Sequence, residues 1–77
     1  MVAAYVLIQT DVGKASTVVD AIGSIDGVIS AQAVTGPYDI IVQTQAIDVD
    51  SLGKMVVAKV QAVPGITRTL TCPVITF

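Results

Sequence analysis

Ile25-Asp26-Gly27-Val28 and, 38 residues later, Val63-Pro64-Gly65-Ile66 are the stretches that decide the fold. Each has an apolar residue, a turn dipeptide ending in Gly, and a β-branched residue. Each therefore ends a helix and opens a strand. The same offset pairs Val18 with Val56, Val19 with Val57 and Ile22 with Val60. The chain is an internal repeat, and each half reads strand, helix, turn, strand.

Working outward, the apolar run from Val2 gives a first strand, Val2–Thr10. A helix is expected from Val12 to Ser24, N-capped by Thr10 or Asp11, with Val12, Ala15, Val19, Ile22 and Ile25 at helical spacing. A second strand spans Val28–Thr35, and Gly36-Pro37-Tyr38-Asp39 turns the chain into a third, Ile40–Ala46. Asp48 then caps a second helix, and Asp50 sits well in its first turn against the macrodipole. Val49, Leu52, Val56, Val60 and Val63 form the buried stripe of that helix. Gly53, beside the stripe, reads as a close helix-to-sheet contact. Pro64-Gly65 ends the helical run, and Ile66–Phe77 makes a fourth strand.

Two βαβ units of this length give an α+β fold of the ferredoxin-like βαββαβ type, a four-stranded antiparallel sheet with two helices on one face. Residues 1–77 read as one domain. A sheet covered on one face alternates apolar and polar residues, but Ala3, Tyr5 and Leu7 are as apolar as Val2, Ala4, Val6 and Ile8. The uncovered face therefore predicts a second protein surface, most simply a two-fold dimer with sheets face to face.

Composition narrows the function. Of 77 residues 53% are hydrophobic, and the mean hydropathy of +0.81 is high for a domain so near the lower size limit for a core. The seven-residue run Val2–Ile8 is far short of the roughly 20 residues of a membrane helix and has no basic flank. The expectation is a cytosolic oligomer with no membrane partner. Lys14, Lys54, Lys59 and Arg68 are dispersed along the chain, which speaks against direct nucleic-acid binding. Without His, and with Cys72 alone, one chain holds no zinc site, no Cys–His nucleophile and no disulfide. Nothing in the pattern calls for a cofactor.

The run Val-Gly-Lys, helix, Ile-Asp-Gly-Val, strand, Thr-Gly-Pro-Tyr-Asp-Ile-Ile-Val, then Val-Pro-Gly-Ile-Thr-Arg-Thr resembles the C-terminal effector-binding (RAM) domain of the Lrp/AsnC transcription regulators, over nearly the whole chain. The Gly-x-Tyr-Asp loop is its most specific element; the Pro-Gly-Ile/Val turns also occur in other ferredoxin-like regulatory domains. The resemblance implies dimerisation through the sheet, further assembly of dimers into rings, and amino-acid effectors bound between dimers with the loop contributing. It carries Gly36, Tyr38 and Asp39 over as ligand-binding residues, and Thr67, Thr69 and Thr71 more weakly, as the threonine-rich stretch of the fourth strand. Pro37 departs from the acidic or polar residue common there. The helix-turn-helix of full-length regulators is missing, so the chain resembles a stand-alone or excised effector domain. Full-length Lrp/AsnC regulators are then its expected partners.

In chemical terms, Asp39 suits the ammonium of an amino acid, and backbone N–H groups near Gly36 suit its carboxylate. The competing reading has Asp39 bonding turn amides and Tyr38 packing at an interface. Thr67, Thr69 and Thr71 alternate, so they are expected on one strand face. Two other classes compete with a non-catalytic sensor that modulates transcription through a regulator. One is a small dimeric α+β barrel enzyme of monooxygenase or isomerase type, for which only Asp39, Tyr5 and Tyr38 offer acid–base groups. The other is a purely structural oligomerisation partner.

Overall fold

Strict alternation along two strands sets the architecture. In the computed structural model, which describes residues 1–77, strand β1 (Val2–Thr10) buries Ala4, Val6 and Ile8, and β3 (Ile40–Ala46) buries Ile40, Val42 and Thr44. These side chains share one face, where Val6, Ile8, Ile40 and Val42 cluster with Val18 and Ile22 of helix α1 (Ala15–Gly23). Helix α2 (Val49–Met55) adds Leu52 and runs on into a π-helical segment, Val56–Val60, that adds Val56 and Val60. Both helices thus cover the same face. The buried Thr44 is tolerated because its hydroxyl donates to the Ala4 carbonyl at 2.9 Å.

The order of strands is β2-β3-β1-β4, every neighbouring pair antiparallel, with β2 at Val28–Ala33 and β4 at Ile66–Pro73. This is the expected βαββαβ arrangement. The two repeated turns do equivalent jobs. Gly27 and Gly65 have φ of +94° and +98°, a region that favours glycine. Their carbonyls accept from Gln45 N–H and Asp11 N–H, each at 2.8 Å. Each glycine therefore ties its own half of the repeat to the other.

Several boundaries differ from expectation for local reasons. Gly13, at φ +78°, breaks the backbone before α1, so Val12 lies outside the helix and fully exposed. The N-cap is Lys14, without a side-chain cap, rather than Thr10 or Asp11. At α2 the expected cap is present: Asp48 accepts from Ser51 N–H at 2.7 Å. Val49, however, is 65% exposed. Gly53 is exposed, and a Cβ there would meet nothing within 4 Å, so the expected close packing is not its role. Strand β4 stops at Pro73, paired with Ala4 near the start of β1, and the last residues, 74–77, are exposed.

The uncovered face is less uniformly apolar than expected. Register places Leu7 between Ile41 and Leu70, and Tyr5 between Gln43 and Cys72. The apolar surface is a central band, bordered by Gln9, Gln43, Gln45 and Arg68.

Candidate functional site

The β2–β3 loop is anchored to the end of β1 by its own backbone and by Asp39. Asp39 N–H donates to the Ile8 carbonyl at 2.8 Å, and Val34 N–H donates to the Asp39 carbonyl at 2.9 Å. Thr10 gives the carboxylate oxygen Oδ2 its backbone N–H at 2.8 Å and its hydroxyl at 3.3 Å. Gln9 Nε2 donates to the Pro37 carbonyl at 2.9 Å. Asp39 thus bonds across to Thr10 instead of to the amides of its own turn. That contact joins residues 29 apart and has no signature in local sequence.

Two features of this loop are left unused. Oδ1 of Asp39 makes no hydrogen bond within the chain. Nor do the backbone N–H groups of Thr35, Gly36 and Tyr38. Gly36 has φ +147° and open space where a Cβ would stand. Beside them Leu7, Val34, Ile41 and the half-buried Tyr38 line a depression of about 420 Å³ on the uncovered face of the sheet. Thr35, Gly36 and Tyr38 themselves line this depression, while Asp39, the next residue, lies just outside it with its carboxylate held at Thr10.

The threonines of β4 lie elsewhere. Thr69 pairs with Ile8 and Thr71 with Val6, so both belong to the helix-covered side of the sheet. The register slips where Gln9 faces Arg68 and Thr10 faces Ile66, leaving Thr67 unpaired in a bulge. Thr67 and Thr69 line a polar depression of about 360 Å³ with Gln61 and Arg68; Thr71 is outside it. Gln61 Nε2 donates to the Thr69 hydroxyl at 2.9 Å. With β1 between β3 and β4, the two groups stand about 10 Å apart and on opposite faces. One chain does not gather them into one pocket.

A third cavity, about 550 Å³, opens where β3 runs into α2. Lys54 and Lys59 both line it, as does Asp26 from the α1–β2 turn. Sequence spacing left these cations dispersed, and the π-helical segment that brings two of them together has no recognisable sequence pattern. No helix of the chain is long and apolar enough to cross a membrane.

Known proteins resemble this arrangement at several levels. The family model described as the Lrp/AsnC ligand binding domain matches residues 3–76. A curated relative, the HTH-type transcriptional regulator PF0250 of Pyrococcus furiosus, is 32% identical over 71 residues, covering 88% of this chain and 47% of that protein. The chain therefore spans about half the length of this relative. Among solved structures, TTHA0845 from Thermus thermophilus superposes with a TM-score of 0.94 at 28% identity, over 100% of this chain and 96% of that one. The transcriptional regulator NMB0573 from Neisseria meningitidis, solved as an L-Met complex, gives a TM-score of 0.86 over 97% of this chain and 50% of that one. At 17% identity the last likeness is one of fold alone. With its sheet order, its glycine turns and a match from residue 3 to residue 76, this chain belongs to the Lrp/AsnC ligand binding domain family.

Proposed function

We infer that the protein is a non-catalytic sensor that binds an amino acid or a similar small metabolite at the β2–β3 loop and couples that binding to its own assembly. One observation carries the reading: the loop is fixed by its bonds to β1 yet keeps Asp39 Oδ1 and the N–H groups of Thr35, Gly36 and Tyr38 free. The free carboxylate oxygen suits an ammonium, the N–H groups suit a carboxylate, and Leu7, Val34 and Ile41 suit an apolar side chain. The L-Met complex of the Neisseria regulator, which shares the fold, supports the ligand class.

The depression is open on the uncovered face, so a second copy of the chain against that face would complete it. The central band of Tyr5, Leu7, Ile41 and Leu70 supports a sheet-to-sheet dimer. Thr67, Thr69 and Thr71 reach a ligand only through contacts between copies, in a larger assembly. A ligand shared by copies shifts the population towards the assembly that holds it. Through such an assembly the protein modulates transcription, in association with full-length Lrp/AsnC regulators.

Native mass spectrometry with and without a panel of amino acids tests this. One amino acid is expected to shift the oligomer distribution, and Asp39→Asn is expected to abolish the shift. Asn keeps an oxygen for Thr10 N–H, so the loop stays anchored while the charge that pairs with ammonium is lost. An assembly indifferent to every amino acid, or one responding equally in Asp39→Asn, overturns the reading.

A further inference from the structure

The cavity at the β3–α2 junction has a chemistry the loop does not share. Lys54 and Lys59 both line this cavity, and so do Ile47, Met55 and Ala58, so that long side chains ending in ammonium groups stand beside an apolar surface. In a regular α-helix residues five apart are turned about 140° from each other, which would send the two lysines to different sides. The π-helical segment Val56–Val60, which turns less per residue, reduces that angle over its part of the path. Its i→i+5 closure is visible as Gln61 N–H donating to the Val56 carbonyl at 2.9 Å. Such segments are rare and often accompany functional sites. Here the consequence is concrete: Lys59 joins Lys54 at one cavity. Like charges brought together repel, and no side-chain hydrogen bond in the chain uses a lysine.

We propose that this cavity is a second ligand site, separate from the loop, that takes a short aliphatic carboxylate: the two lysines receive the carboxylate, and Met55, Ala58 and Ile47 receive the aliphatic tail. A volume of about 550 Å³ lies within the usual range for small-ligand sites, about 300–1,000 Å³. The cavity and the loop are at opposite ends of β3, roughly 20 Å apart along the strand, so the two sites fill independently of each other's contacts. Asp26 on the rim decides the source of the carboxylate. It adds a partner for the ammonium of a free amino acid and offers nothing to a simple fatty or oxo acid.

The test is amide chemical-shift titration of the full ¹⁵N-labelled chain with isovalerate and with L-valine, which differ only by the α-ammonium, against sodium chloride at matched ionic strength. Saturable shifts at the amides of Gly27, Ala58 and Lys59 are expected at roughly millimolar ligand. The double substitution Lys54→Gln/Lys59→Gln is expected to weaken them about tenfold or more, as befits loss of charged hydrogen bonds. Ala58→Leu, which fills the cavity and leaves every charge in place, is expected to weaken them too. Shifts with valine that Asp26→Asn reduces identify an amino acid; equal shifts with isovalerate identify the acid alone, and both support the site. No saturable shift at those amides, or an undiminished one in both variants, overturns it. Shifts confined to residues 35–39 overturn this site while favouring the loop; shifts at the cavity with a silent loop do the reverse.

Discussion

At single residues, the clearest constraint is Gly65. Its φ of +98° is one that side chains rarely adopt, and a Cβ would stand 3.2 Å from both Lys14 Cβ and Val18 Cγ2. Gly65→Ala is therefore expected to cost about 1–3 kcal/mol of stability, read by urea denaturation, through strain and crowding together. The repeat made this glycine legible in sequence, because Gly27 occupies the matching place in the first half. Asp39 was legible as a turn residue and a candidate partner for an ammonium, but its bond to β1 was not. Its partner Thr10 is 29 residues away, and no local pattern specifies a bond that the tertiary fold creates.

Elements show the same division between what neighbours dictate and what tertiary packing decides. Helix α2 begins where sequence places it because an Asp N-cap is a local device. Ser51 N–H, followed by the Ser51 side chain, holds the Asp48 carboxyl below its ordinary value of 3.8, against a smaller opposing effect of desolvation. A depressed folded value means the cap's contribution is present above about 3.8 and fades as pH falls through the folded value. Asp48→Ala should accordingly lower Tm by a few degrees at neutral pH. The gap between variant and parent should close on strong acidification, measured by thermal melts across pH. In the interior of the same helix the expected close contact at Gly53 is absent, since a Cβ there would meet nothing within 4 Å. Gly53→Ala should thus raise stability by about 1 kcal/mol, visible as a higher denaturant midpoint with unchanged slope. Helix α1 starts late for a reason also written in the sequence, since Gly13 at φ +78° stops the helix from reaching back to Val12. The π-helical segment is different. Its buried residues Val56 and Val60 are four apart, a spacing that periodicity reads as ordinary helix.

For the molecule as a whole, the uncovered sheet face sets the expected behaviour in solution. Leu70 is 42% exposed and Tyr5 44% exposed, side by side with Leu7 and Ile41 in one band. Leu70→Lys should leave the fold intact and shift a dimer towards monomer, measured by sedimentation equilibrium; an unchanged mass would remove this face from assembly. The βαββαβ plan was readable because the repeat, the two glycine turns and the alternation in β1 all agree. The candidate site was only half readable. Its loop is a sequence motif, but the depression beside it joins Leu7 to Ile41 across strands, and the threonines of β4 face the other way.

The bond from Thr10 to Asp39 has a neighbour that gives it wider reach. Asp11, the next residue, donates its N–H to the Gly65 carbonyl at 2.8 Å. Two consecutive peptide units at the end of β1 therefore grip the β2–β3 loop on one side and the corner leading into β4 on the other. A disturbance at either grip is expected to reach the other through this short stretch of backbone. Thermodynamic reciprocity then applies: if binding at the loop tightens the β4 corner, loosening that corner must weaken binding at the loop by the same factor. A double-mutant cycle of Asp39→Ala, which removes the acceptor for Thr10, with Gly65→Ala should show a coupling energy of about 0.5 kcal/mol or more, where independent sites would add. The loop and the threonine strand, which share no pocket within one chain, would then still respond as a single lever.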